Sequence, residues 1–142
     1  SRGHLVSDYL TNPVDAATYL KKVSAHAEDY NGFNLLAGNA DALWYMSNKG
    51  GHIKRLLPGE YGLSNHLLDT PWPKVIGIKN LLKPLVAGAT VQPEAIFNAL
   101  QNETVADDTQ LPDTGVGMKR ERQLSSIFIK TPGYGTRCST LL

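Results

Sequence analysis

Cysteine is almost missing from this chain. Cys138 stands alone, so no intrachain disulfide can form and a small extracellular scaffold held by disulfide staples is excluded. A lone thiol suits a reducing compartment, and the expected location is cytoplasmic. A surplus of either charge is missing too, since 14 Lys and Arg against 13 Asp and Glu leave a net charge of +1. No strong field draws nucleic acid or anionic lipid, which disfavours a DNA-binding or polybasic role. Long apolar runs are absent. The longest uncharged stretch, Tyr30 to Ala40, includes Asn31, Gly32, Asn34, Gly38 and Asn39, and is too polar for the ~20 apolar residues that span a bilayer, so membrane insertion is not expected. His4, His26, His52 and His66 lack the paired spacing of a zinc site, which leaves no warrant for a metal. The chain opens Ser1-Arg2-Gly3-His4 with neither Met nor an apolar targeting stretch, as a processed product or a fragment would.

What is present is enough apolar material, 42% of 142 residues, for one sizeable core and one ordinary domain. Asn12-Pro13 reads as a helix start, with Asn capping free donors and Pro at a position that has no donor to lose. Val14, Ala17, Leu20, Val23 and Ala27 then recur at helical spacing, which predicts an amphipathic helix over 13–29, preceded by a shorter one around Leu5 to Leu10. From Tyr30 the period changes. Phe33 to Ala37 and Ala42 to Ser47 read as a hairpin across Gly38-Asn39-Ala40-Asp41, and Ile53 to Leu57 and Glu60 to Ser64 as two more strands across Pro58-Gly59, which completes a four-stranded meander. Residues 65–73 read as a loop, 73–87 as a helix weakened by Gly77 and Pro84, and Pro93 to Leu100 as another helix. A polar surface loop over 102–119 leads to a last hairpin, Leu124 to Lys130 with Tyr134 to Leu142. Helices flanking antiparallel strands on this plan make a layered α+β fold.

Four places could carry chemistry. Tyr61-Gly62-Leu63-Ser64-Asn65 delivers Asn65 at the end of an expected strand, where its amide could steady an oxyanion; an Asn that merely turns the chain is the commoner explanation. Arg137, read as mid-strand, needs either an internal carboxylate or an acidic ligand group, and the sequence favours neither. Cys138 has no neighbouring base and reads as a small buried hydrophobe. Asp69-Thr70-Pro71-Trp72-Pro73 reads either as a rigid loop with an aromatic ligand wall or as a cap on the following helix with Trp72 packed beneath it. Ser1 is rejected as an amino-terminal nucleophile, because a helix-like run follows it where a buried strand is needed.

The segments Ser1-Arg2-Gly3, Tyr30-Asn31-Gly32-Phe33-Asn34-Leu35-Leu36, Ser47-Asn48, Tyr61-Gly62-Leu63-Ser64-Asn65, Leu68-Asp69-Thr70-Pro71-Trp72-Pro73-Lys74-Val75, Leu111-Pro112-Asp113-Thr114-Gly115-Val116 and Tyr134-Gly135-Thr136-Arg137 together resemble the NRDE family, also called the Transport and Golgi organisation family. The resemblance runs in order along the chain and covers the later part of that family. Members begin with an amino-terminal Cys and a nearby Asn-Arg-Asp-Glu motif that are not found here, and they usually carry Ser where this chain has Cys138.

The resemblance implies an αββα layered sandwich of the N-terminal nucleophile hydrolase type, incomplete at its N-terminal end, with residues 1–142 as the C-terminal part of a single domain. It implies that the missing segment of the same protein is a partner, and that a sheet lacking its first strands leaves edges that make this chain alone unstable or dependent on that segment. Two functions follow. In the first, an NRDE-type carrier handles haem or a lipid or acyl group, a small hydrophobic or acidic ligand, in a cleft between sheets lined by Tyr61, His66, Asp69 and Trp72. Haem is the one candidate cofactor. In the second, an amide hydrolase attacks with a cysteine from the missing segment, Asn65 completes the oxyanion site and Arg137 orders the pocket.

Overall fold

The computed structural model describes residues 1–50, 52–88 and 90–142, and is mixed α and β. The chain forms two compact units, Ser1–Gly59 with Asn65–Leu67, and Glu60–Ser64 with Leu68–Leu142.

The first unit begins with α1 (Arg2–Thr11) and α2 (Ala16–Ser24). The second helix starts later than Asn12-Pro13 predicts, because Asp15 is the residue whose carboxylate accepts from an orphan donor, Thr18 N, at 2.9 Å. Asn12 instead closes α1, its Nδ2 donating to Asp8 O at 2.6 Å. The helix also stops at Ser24, short of 29, and a single turn of 3₁₀ helix, Ala27–Asp29, follows.

An antiparallel sheet comes next, in the order β1 (Asn34–Gly38), β2 (Leu43–Ser47), β3 (Lys54–Leu56). Leu35 pairs with Met46 and Ala37 with Trp44, so one face carries Phe33, Leu35, Ala37, Trp44 and Met46 onto Leu5, Tyr19, Leu20 and Val23 of the helices. This is the core of the unit. Tyr19 Oη is buried with it and donates to Leu5 O at 2.7 Å, which ties α2 to α1. The β1–β2 turn is built as the sequence predicts: Asn39 Oδ1 accepts from Asp41 N and Ala42 N at 3.0 Å each. The strand ends approach so closely there that a Cβ on Gly38 would lie 2.2 Å from Ala42 O.

The expected fourth strand, Glu60 to Ser64, is not one. Gly62 N and O both bond to Asp69 rather than to a neighbouring strand, which bends the segment into a closed loop.

The second unit contains α3 (Pro73–Val86), α4 (Pro93–Leu100) and α5 (Met118–Leu124), a short 3₁₀ turn at Asp108–Gln110, and a two-stranded ribbon, β4 (Lys130–Thr131) with β5 (Tyr134–Gly135). Pro73 and Pro93 each sit in the first turn, as predicted, and α3 continues past Pro84. The last hairpin is far shorter than expected. Residues 118–124 are helical, and Thr136 ends the ladder with Ile129 N donating to its Oγ1 at 3.0 Å. Arg137 and Cys138 therefore lie beyond the strand. Both are exposed, which corrects the reading of Arg137 as a mid-strand group and of Cys138 as buried.

Candidate functional site

The Tyr61–Trp72 region is organised by Asp69. This residue has φ 58°, the left-handed conformation that a non-glycine residue adopts only when its surroundings hold it. What holds it is a two-way clasp: Asp69 N donates to Gly62 O and Gly62 N donates to Asp69 Oδ1, both at 2.7 Å. Lys79 of α3 adds a charge-assisted bond to the same Oδ1 at 2.9 Å. Gly62 is required at this point, since a Cβ there would lie 2.6 Å from Val75 Cγ1. The predicted ligand-contacting residue Asp69 is thus placed as the support of the loop.

Tyr61 and Leu63, on either side of Gly62, are each 37% exposed and present apolar surface beside the clasp. Trp72 itself occupies the cap position of α3, without a side-chain cap bond, where the sequence reading put an Asp or Thr cap, and its half-buried ring lies 5.8 Å from Lys74 Nζ.

Asn65 and His66 belong to the first unit, where Asn34 Nδ2 donates to His66 O at 2.9 Å. Both are exposed. Arg137 belongs to the second, beside an open groove with Phe128, Ile129 and Lys130. Among the described residues the side chains of Asn65 and Arg137 make no ion pair or hydrogen bond. Among the described residues no group of three His, Cys, Asp or Glu could hold a metal ion, and no helix is long and apolar enough to cross a membrane.

Two polar centres escape a reading of the sequence. Asn48 sits at the end of β2 and accepts from Phe33 N at 2.8 Å while its amide donates to Ala27 O and Tyr30 O at 3.1 Å each, fixing the entry to the sheet. Its place in Ser47-Asn48 is the only signal of it. Glu121 is buried in α5 and accepts from Thr114 N at 2.7 Å and Thr114 Oγ1 at 2.5 Å, which anchors the Leu111-Pro112-Asp113-Thr114 segment. Lys74 Nζ donates to Leu124 O at 2.9 Å. Burial lowers its pKa from the usual lysine value, against the opposing charge of Glu121.

The profile of the Transport and Golgi organisation 2 family matches residues 1–142. The chain is 39% identical over 155 residues to the Transport and Golgi organization protein 2 homolog of Bos taurus and 38% identical over 159 residues to that of Homo sapiens. It is 36% identical over 150 residues to the Transport and Golgi organization 2 homolog of Mus musculus. These alignments take in 99%, 99% and 98% of this chain but 56%, 56% and 53% of the relatives, so the chain spans about half the length of the curated relatives it matches. With a family match over every residue and relatives 39% and 38% identical along 99% of the chain, the chain belongs to the Transport and Golgi organisation 2 family.

Proposed function

We propose that the protein handles a small amphipathic ligand, haem or a lipid or acyl group, as cargo. The observation that carries this reading is the clasp between Gly62 and Asp69, which holds Tyr61 and Leu63 half-exposed on a loop that needs no rearrangement to meet an apolar molecule. Trp72, in the same compact unit as the clasp, offers a half-buried aromatic face. The relatives' names speak of transport, which a carrier fits. Titration of haem into the full-length protein should shift its absorption saturably, and Trp72→Ala should weaken that binding. A change that never saturates would remove the haem form of this reading, and failure of a fluorescent fatty acid as well would remove the whole.

A second reading has one observation behind it. The side chains of Asn65 and Arg137 are exposed and uncommitted among the described residues, as groups reserved for a substrate would be. In that reading the sheet covered on one face by α1 and α2 is half of an αββα sandwich. A cysteine elsewhere in the full-length protein attacks an amide and Asn65 steadies the oxyanion. Amide hydrolysis by the full-length protein, reduced roughly 10²–10³-fold in Asn65→Ala, is the expected result. Equal turnover in that variant would count against it.

A further inference from the structure

The second unit contains a cavity whose walls include none of the candidate residues named above. It measures about 440 Å³, toward the small end of the ~300–1,000 Å³ range of small-molecule sites, and lies between the first turns of α3 and the segments 102–107 and 125–127. Hydrogen bonds within the unit shape these walls: Ala106 N donates to Ser125 Oγ at 3.0 Å and Phe128 N to Asn102 O at 2.8 Å.

Gly77 is the informative wall residue. It lies in the interior of α3, where glycine is the least favourable residue after proline. Nothing in the fold demands it, because a Cβ built there meets only Ile127 Cδ1, at an ordinary 3.9 Å. The missing side chain relieves no clash; it keeps the cavity open. Leu81, Val105 and Ile127 give the space further apolar surface.

The charged groups decide what fits. Lys74 Nζ spends one of its three N–H bonds on Leu124 O, so two are left. Buried Glu121 already opposes this ammonium, and Asp107 in the cavity wall keeps its carboxylate ionised through bonds from Thr109 N at 2.9 Å and Thr109 Oγ1 at 2.6 Å. Glu121 is not part of the wall, so an anion entering here meets Asp107 as well as Lys74, and a cation meets Lys74 as well as Asp107. A neutral group that both accepts and donates escapes both penalties.

We propose that this cavity binds a small uncharged amide with an apolar substituent, its carbonyl accepting from Lys74, its N–H turned toward Asp107, and its tail along Gly77, Leu81, Val105 and Ile127. This site goes beyond the carrier reading and does not need it. The test is calorimetric titration of octanamide into the intact protein, with octanoate and octylamine as charged controls of the same length. Octanamide should bind saturably and about 10-fold or more tighter than either control, and Lys74→Met should cost about 10-fold, as expected for one charge-assisted hydrogen bond. Gly77→Leu should abolish binding by filling the space while leaving the Lys74–Leu124 bond intact, and Val105→Trp fills it from the loop side should the helix variant fail to fold. Absence of saturable octanamide binding overturns the proposal. So does undiminished binding in the cavity-filling variants, or tighter binding of octanoate.

Discussion

Single polar side chains hold more of this molecule than the sequence advertises. Asn48 is the clearest, since its amide oxygen faces an N–H and its amide nitrogen faces carbonyls. Asn48→Ala strands those groups and should cost about 2–3 kcal/mol in denaturant unfolding. Asn48→Asp, nearly the same shape, turns an acceptor toward the carbonyls of Ala27 and Tyr30 and should not rescue it. Asp69 is a second such centre. Asp69→Ala removes the bonds from Gly62 N and Lys79 and leaves an alanine at φ 58°, so proteolysis within 63–68 should accelerate. Asn at this position, tolerant of the same backbone, should restore most of the protection. The motif containing Asp69 was visible in the sequence, but its partner was not. Gly62 is seven residues away in an expected strand, and only tertiary packing against Val75 shows why it is glycine.

At the scale of elements, legibility followed local chemistry. α3 and α4 were readable because Pro73 and Pro93 mark their starts and the apolar spacing behind each is helical. The first hairpin was readable because Asn39 can close its own turn. α5 was not: Met118–Leu124 is too short for a periodic signal, its start is Gly117 at φ 83°, and the residue it buries is a glutamate. Two expected outcomes belong here. Asp15→Ala deletes the cap of α2 and should lower stability by about 1 kcal/mol. Gly77→Ala adds a methyl where there is room for it and should raise stability by about 0.5–1 kcal/mol, read as a higher melting temperature.

Over the whole molecule, acid is the lever. The carboxyls of Asp15, Asp107 and Asp108 are held below the ordinary aspartate value of 3.8, chiefly by hydrogen bonds from Thr18, Thr109 and Arg122. Their stabilisation is complete above that value and is lost as the pH falls through the lowered folded values. Arg122 Nε holds Asp108 Oδ1 at 2.8 Å, so the melting temperature of Asp108→Asn should fall below that of the parent at pH 7, and the two should converge as the pH drops below 3.8. Circular dichroism melts at a series of pH values check this. One further property follows from the exposed thiol of Cys138, the only sulfhydryl in the chain. On these 142 residues a maleimide dye would attach at a single address, next to Arg137, with no engineering, a handle from which fluorescence could report what arrives at that guanidinium.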